Sequence, residues 1–213
     1  MKLKKIEVIQ KIIDLYPHAE CELNYQNHEQ LAIAVILSAQ TTDISVNKVT
    51  PILYTKFPSL EALAQGDVSD IEKCLHSIGL YRNKAKNIQA FASELITHHQ
   101  GILPSDAQSL RSLAGIGQKT ANVIQAVAFK IPALAVDTHV HRVSLRLGLV
   151  TSMSNVLQTE TQLKQFIPQE LWIQAHQSML FFGRYFCMAK KPRCLECPFQ
   201  FDCKYNLKKI KTP

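Results

Sequence analysis

The stretch Leu113–Phe129, "LAGIGQKTANVIQAVAF", decides the fold class, because a glycine turn leads there directly into a helical apolar pattern. Gly115 and Gly117 allow a tight turn and the close approach of another backbone. With the helical pattern before it, the stretch predicts a helix–hairpin–helix over residues 105–130. Amides at the start of the second helix have no partner inside that helix, and such amides bind anions, including DNA phosphates. A plain helix–helix turn is the alternative that the pattern alone leaves open.

The rest of the chain shows helical patterning almost throughout. Apolar residues recur at helical spacing, and no stretch shows the alternation and hairpin turns of β-strands. Residues 30–39 are apolar nearly all round, which predicts a buried helix. Ser69 with Glu72, and Ser105 with Gln108, have the spacing of capping boxes, and each pair predicts a helix start. We therefore expect an all-α protein of roughly ten short helices.

The composition is that of a globular protein outside the membrane. Of 213 residues, 46% are apolar and 19% are charged, an ordinary globular balance. The longest apolar run, Leu31–Leu37, is far shorter than the roughly 20 residues that span a bilayer. The N-terminal sequence "MKLKKIEVIQKII" reads as an amphipathic helix and not as a signal peptide. We expect a cytoplasmic protein whose thiols are reduced and which has no membrane partner.

The positive charge is concentrated near the C-terminus. The formal net charge is +7, and residues 184–213 hold eight Lys and Arg against two acidic residues. A basic segment of this kind favours a polyanionic partner such as nucleic acid. A solubilising tail is the alternative that charge alone leaves open.

Lys119 lies two residues after Gly117, in the first turn of the second hairpin helix. A cation is slightly unfavourable at that end of the helix dipole. From local sequence, the favoured interpretation is an exposed lysine that faces phosphate or solvent. The sharper hypothesis is a lysine whose pKa is lowered by burial and by the dipole, because a neutral amine is a nucleophile and forms Schiff bases.

Asp137 stands in "IPALAVDTHVHRV", after an apolar run and before a helical pattern. Aspartate is a good N-cap, so capping alone explains its presence. Capping does not use both carboxylate oxygens, and the group could also face a cleft. There it could orient an amine, accept its proton, or stabilise positive charge that develops on a sugar.

Four cysteines crowd into one basic segment with the spacing C-x6-C-x2-C-x5-C. They are Cys187, Cys194, Cys197 and Cys203. Four thiolates in a compact loop bind either tetrahedral zinc or an iron–sulfur cluster, and a single close pair without histidine favours iron–sulfur. Lys190, Lys191 and Arg193 lie between the first two cysteines, where the stapled loop would display them to a phosphate backbone.

Together these features resemble the endonuclease III family of DNA base-excision-repair glycosylases, over essentially the whole chain. The resemblance lies in "LSAQTTDISVNKV", "IGLYRNKA", "LAGIGQKTANVI", "AVDTHVHRV" and the four-cysteine loop. Ala114 departs from the family, because many relatives have proline there. The resemblance implies two helical domains that flank a DNA cleft. Residues 21–131 would form a six-helix barrel that contains the hairpin, and residues 1–20 with 132–213 an iron–sulfur domain with its cluster loop at 187–203.

The resemblance also implies roles for single residues. Lys119 matches the nucleophilic lysine and Asp137 the catalytic aspartate, while the four cysteines match the ligands of a [4Fe–4S] cluster. Gln40 and Leu80 match the positions that fill the gap left by a flipped base. With the charges of the cluster loop, the expected DNA contacts are Gln40, Leu80, Gly115, Gly117, His139, Lys190, Lys191 and Arg193.

The implied activity is that of a bifunctional enzyme on double-stranded DNA with damaged bases or abasic sites. As an N-glycosylase it would remove oxidised pyrimidines, and as an AP lyase it would cleave 3′ to the abasic site by β-elimination through a lysine Schiff base. We expect a monomer associated with the nucleoid. A monofunctional adenine-mismatch glycosylase is opposed by Lys119 and by the lack of a long domain after the cysteines. A non-catalytic DNA-binding iron–sulfur protein would also use the hairpin and the cysteine loop, whereas an electron carrier would leave the hairpin unexplained.

Overall fold

A computed structural model describes the backbone of residues 3–211 and the side chains of residues 3–207. All regular secondary structure in that range is helical, which confirms the all-α prediction. The α-helices are α1 Lys5–Leu15, α2 His28–Leu37, α3 Asp43–Lys56, α4 Leu60–Gln65, α5 Val68–Leu75, α6 Tyr81–His99, α7 Ala107–Ser112, α8 Gln118–Ala128, α9 Thr138–Leu147, α10 Val156–Lys164, α11 Trp172–Phe181 and α12 Lys204–Lys211. A π-helical turn, Phe182–Phe186, continues α11, and short 3-10 turns lie at Gln169–Leu171 and Cys194–Glu196. Within the described residues, no helix is long and apolar enough to cross a bilayer.

The chain separates into two compact units. One unit is Glu22–Ile131, and the other joins the segment up to Cys21 with the chain from Pro132 onward. In the first unit, every residue from Leu31 to Leu37 is buried, and α3, α6 and α8 pack against α2. The expectation of a buried helix near residues 30–39 is therefore confirmed.

The second unit is held together by helices from both ends of the chain. The buried face of α1, Val8, Ile9, Ile12 and Ile13, shares one hydrophobic core with α9, α11 and Phe199. Because α1 packs against α11, the N-terminal helix completes a core that is otherwise built from the C-terminal third of the chain. Of the basic tail, the side chains of Lys208, Lys209 and Lys211 lie outside the described side chains.

Two predicted helix starts are wrong, and both for the same reason. The pairs Ser69–Glu72 and Ser105–Gln108 do not open helices. Instead α5 begins at Val68, where the Asp67 carboxylate accepts the Ser69 amide at 2.8 Å, and α7 begins at Ala107, where Asp106 accepts the Ser109 amide at 2.8 Å. A charged carboxylate at the N-cap interacts with the helix dipole as well as with the free amides.

The predicted helix–hairpin–helix is formed by α7, a turn and α8. Gly115 sits at the turn with φ +78°, and a Cβ placed there would lie 2.9 Å from Ile36 Cγ2 and 3.3 Å from Asn87 Cβ. The Glu94 carboxylate of α6 accepts the Ala114 amide at 2.7 Å. The left-handed backbone and the close packing both require glycine at position 115, and the Glu94 bond fixes the turn against α6.

Gly115→Ala is expected to lower the free energy of unfolding by about 1–3 kcal/mol, because the alanine must adopt a left-handed backbone and displace Ile36. Gly117→Ala is the matched control. Gly117 has φ −90° and open space where a Cβ would stand, so its substitution should change stability by no more than about 0.5 kcal/mol. Urea unfolding followed by circular dichroism measures both. Equal losses in the two variants would contradict this account of the turn.

Candidate active site and cluster-binding loop

Lys119 lies in the first turn of α8 and is exposed. No hydrogen bond or ion pair holds its amine within the described part of the chain. This is not the buried environment that the sharper hypothesis invoked. What the fold supplies is position, because the packed hairpin fixes the start of α8 and therefore the root of this side chain.

Gly117, the N-cap of α8, leaves the start of that helix open. Among the described residues, no side chain caps the helix and no acidic residue lies in its first turn, and apart from the adjacent residues no atom lies within 4 Å of where a Cβ would be. A glycine that neither φ nor packing requires, next to free helix amides, is consistent with close approach by an anion.

The Asp137 carboxylate is held on both oxygens. Its Oδ1 accepts the amides of His139 and Val140 at 2.9 and 2.8 Å, which confirms that Asp137 is the N-cap of α9. Its Oδ2 lies 2.7 Å from His139 Nδ1. The second oxygen is therefore engaged by the imidazole, a partner for His139 that the sequence reasoning missed. The Asp137 side chain is 13% exposed, so this pair is only partly open to solvent.

Gly183 of the π-helical turn allows His139 to take this position. A Cβ on Gly183 would lie 2.9 Å from His139 Cβ and 3.2 Å from its carbonyl oxygen. Any side chain there would push the start of α9 away from the π-helical turn. The π-helical turn and Gly183 within it therefore help to hold His139 and the Asp137 carboxylate in position.

Gln40 and Leu80 lie in separate loops of the unit Glu22–Ile131, and both side chains are exposed. Gln40 precedes α3 and has φ +54°, and Leu80 is the N-cap of α6 with φ +58°. Left-handed backbone is rare for residues other than glycine and is strained for a bulky one. Both loop tips are therefore held in strained conformations that present a side chain outward.

The four cysteines line a single cavity, together with Leu147, Phe182, Phe186 and Tyr205. None of the four forms a disulfide within the described part of the chain. Burial, and to a smaller extent the other three cysteines, raises the pKa of Cys197 to about 11, and burial also raises the pKa of Cys203. Thiolate ligands in this cavity would need a compensating positive charge, which iron would supply when bound.

Four cysteines that line one cavity beside aromatic and aliphatic side chains fit an iron–sulfur cluster, whose irons take thiolate ligands. Within the described residues, no group of three or more His, Cys, Asp or Glu meets the geometry for one bound metal ion. The fit to a cluster rests on the single cavity that all four cysteines line, and similarity to a known family decides between a cluster and a single zinc ion.

Two arginines of α9, which the sequence analysis did not single out, hold the cluster loop. Arg146 donates to the carbonyls of Met188 and Ala189 at 2.7 and 3.1 Å, and its Nη1 lies 3.4 Å from Cys187 Sγ. Arg142 donates to the carbonyls of Gly183 and Cys187 at 2.7 and 3.2 Å. Their spacing of four residues places both on one face of α9, but sequence alone does not tell such a face from a solvated one.

The three cations of the loop have different surroundings. Arg193 forms an ion pair with Glu196 and lies over the Phe186 ring at 5.1 Å. Lys190 and Lys191 are exposed and have no ion-pair partner among the described side chains. Arg193 thus braces the loop locally, while the two lysines are available to a partner.

Comparison with known proteins identifies the family. The family model "HhH-GPD superfamily base excision DNA repair protein" matches residues 33–169, and "Iron-sulfur binding domain of endonuclease III" matches residues 187–203. Endonuclease III of Bacillus subtilis (strain 168) is 46% identical over 212 residues, which cover 99% of this chain and 97% of that protein. Endonuclease III of Escherichia coli (strain K12) is 39% identical over 207 residues, or 97% and 98% of the two chains. The chain belongs to the endonuclease III family of base excision DNA repair proteins.

Solved structures agree with the family assignment. A trapped endonuclease III–DNA covalent intermediate matches with a TM-score of 0.94 at 44% identity, over 98% of this chain and 99% of that one. The predictions of the family, of a bifunctional DNA glycosylase and AP lyase, and of a [4Fe–4S] cofactor are confirmed. The hypotheses of a non-catalytic DNA-binding protein and of an electron carrier are not supported.

Arg146→Met is expected to weaken retention of the cluster by about 10-fold or more, because residues that orient metal ligands contribute on that scale. The measurement is iron and acid-labile sulfide per chain during challenge with a chelator, together with absorbance near ~400 nm. Arg82→Met is the control, since Arg82 is an exposed arginine of α6 outside the cluster unit. Identical iron loss from Arg146→Met and wild-type protein would refute the bracing role.

Proposed function

We propose that Lys119 is the nucleophile and Asp137 the catalytic carboxylate of this glycosylase and lyase, acting on oxidised pyrimidines in double-stranded DNA. The observation that carries the proposal is an exposed amine, without a partner among the described side chains, in the first turn of a helix whose N-terminus is open at Gly117. A phosphate held by the free amides of that turn would bring the DNA backbone next to the amine.

In the first step the damaged nucleotide is extruded, and Lys119 Nζ attacks C1′ of its deoxyribose. The C1′–N bond breaks, and its electron pair leaves with the base, which takes up a proton. The attacking nitrogen loses a proton, the C1′–O4′ bond of the sugar ring breaks, and O4′ takes up a proton. A protonated Schiff base then joins Lys119 to C1′.

In the second step the Schiff base acidifies C2′. Loss of a C2′ proton is followed by cleavage of the C3′–O bond, whose electron pair leaves with the phosphate on the 3′ side. Water then hydrolyses the unsaturated Schiff base and restores the Lys119 amine. Glycosylase and lyase activities thus use one covalent attachment.

Asp137 supplies a fixed negative charge for the first step. Two backbone amides and the His139 imidazole orient its carboxylate, so little reorganisation is needed when positive charge develops on the sugar. We assign His139 to the orientation of Asp137, in addition to its expected DNA contact.

The remaining residues bind and deform the DNA. Gly115 and Gly117 contact phosphate through the hairpin, Gln40 and Leu80 fill the space of the extruded base, and Lys190 and Lys191 contact the backbone from the cluster loop. Arg193 adds charge to the same loop while paired with Glu196. These contacts are to the DNA backbone and to the space left by the extruded base, so they position the DNA without reading its sequence.

The two units have different tasks in this proposal. Glu22–Ile131, which holds α2 to α8, is the barrel domain with the hairpin, and the other unit is the iron–sulfur domain. When bound, the cluster crosslinks Cys187, Cys194, Cys197 and Cys203 and braces the basic loop, without taking part in bond-making. The protein acts as a monomer on nucleoid DNA in the cytoplasm.

Wild-type protein is expected to form a covalent adduct with abasic-site or thymine-glycol DNA when borohydride reduces the Schiff base, and Lys119→Ala should form none. Lys11→Ala is the control, because Lys11 is an exposed lysine of α1. Adduct formation is followed by gel mobility. An adduct of Lys119→Ala as abundant as that of wild type would place the nucleophile elsewhere.

Asp137→Asn separates catalysis from capping, because asparagine caps a helix as well as aspartate does. We expect base removal to fall by about 100-fold or more, while thermal stability and DNA affinity change little. Asn155→Asp exchanges the same two side chains at the N-cap of α10 and should leave activity unchanged. The measurements are single-turnover kinetics and melting temperature, and parallel losses of stability and activity in Asp137→Asn would reduce its role to capping.

A further inference from the structure

Lys84 of α6 is buried, with only 4% of its surface exposed. Its ammonium donates a hydrogen bond to the Thr41 hydroxyl, and its backbone amide donates to the Leu80 carbonyl at 3.0 Å. Thr41 follows Gln40 directly in the chain. One residue therefore bonds to the loops that carry both Gln40 and Leu80.

The environment of this lysine is costly for a charge. Within the described part of the chain, no carboxylate pairs with the Lys84 ammonium, and a neutral hydroxyl is its hydrogen-bond partner. Burial lowers the pKa of Lys84 accordingly. An apolar side chain of similar length would fill the same space without this penalty, so packing alone does not account for the lysine.

The two loops that Lys84 joins are strained. Gln40 and Leu80 both adopt left-handed backbone, with φ +54° and +58°. The Gln40 turn is closed by the Thr41 amide, which donates to the Ser38 carbonyl at 3.1 Å. Strained conformations persist only where the surroundings impose them. The Lys84 amide makes the first helical bond of α6, to the Leu80 carbonyl, and the Lys84 side chain bonds to Thr41, so this residue ties the Gln40 loop to the start of α6 beside Leu80.

We propose that Lys84 is a positioning residue that fixes the Gln40 and Leu80 loops to each other, so that both side chains enter the duplex together when a damaged base is extruded. The inference rests on the proposed function, in which those two side chains fill the vacated space. It goes further by naming a residue without DNA contact that sets the efficiency of extrusion.

The inference separates base removal from strand cleavage. A damaged base must be unstacked and held out of the helix, whereas an abasic site has no base to unstack. Loss of the Lys84–Thr41 bond should therefore slow base removal from thymine-glycol duplex more than lyase action on abasic-site duplex.

Lys84→Met tests the Lys84–Thr41 bond, because methionine has an unbranched apolar side chain but lacks the ammonium that donates the hydrogen bond. We expect the single-turnover rate of base removal to fall about tenfold, since small misplacements of aligned groups cost up to about 100-fold. The lyase rate should stay within about twofold. Lys86→Met, an exposed lysine of the same helix, should match wild type in both assays.

A second pair of variants keeps the test valid if Lys84→Met folds poorly. Thr41→Val removes the acceptor with little change of shape, and Thr41→Ser restores a hydroxyl. We expect Thr41→Val to reproduce the selective loss of base removal and Thr41→Ser to rescue it. The melting temperature of each variant shows whether its structure is generally destabilised. If base removal and the lyase rate fall equally, in step with the melting temperature, Lys84 has only a packing role and the inference is overturned.

The salt dependence of DNA binding tests whether Lys84 contacts the DNA directly. A lysine that neutralises one phosphate contributes about 0.9 to the slope of log affinity against log salt concentration. We expect the slope for Lys84→Met on thymine-glycol duplex to equal that of wild type, and a decrease of about 0.9 would overturn the positioning role. The borohydride adduct of wild-type protein is scored first: its absence refutes the proposed function, whereas a wild-type adduct with unchanged Lys84→Met kinetics refutes this inference alone.

Discussion

The N-terminal cap of α9 is the interaction on which the cluster unit depends most. Asp137 caps that helix, and Arg142 and Arg146, farther along it, donate to carbonyls of the cluster loop. Arg146 follows Asp137 by nine positions in the chain, which along a helix is roughly 13 Å. A rigid helix therefore joins the candidate carboxylate to the cysteine loop, and whatever stabilises the loop also limits the motion of the carboxylate. The cofactor can matter for activity in this way without taking part in the reaction.

Helix N-termini recur at the candidate functional groups. Leu80 is the N-cap of α6, Lys119 lies in the first turn of α8, Asp137 is the N-cap of α9, and Gln40 lies two residues before the N-cap of α3. The partly positive helix end suits a polyanion, and the short turn before each helix allows a side chain or a glycine to stand at the surface. A chain of short helices thus provides many such ends, whereas a few long helices would provide few.

Local sequence predicted those features that depend on neighbouring residues. The buried α2, the glycine turn and the Asp137 cap were all readable from spacing and residue type. The false capping boxes at Ser69 and Ser105 show the limit of that prediction, because Asp67 and Asp106, within two residues of those serines, cap the helices instead. Contacts between distant segments were not readable at all: Lys84 with Thr41, and Arg146 with the cluster loop, are separated by about 40 residues or more in sequence. In "RNKAKN", nothing in the sequence distinguishes the buried Lys84 from a lysine on a solvent-exposed helix face.

Lys119 shows how position can substitute for burial. Its side chain is exposed, so the fold does not activate the amine by removing water from it. Positioning can contribute on a comparable scale, since aligned reactants reach effective molarities many orders above solution values. The precision required is high, because displacement by about 1 Å can cost 100-fold in rate. Gly115 packs against Ile36, and the Glu94 carboxylate binds the turn. Both contacts fix the start of the helix from which the proposed nucleophile extends.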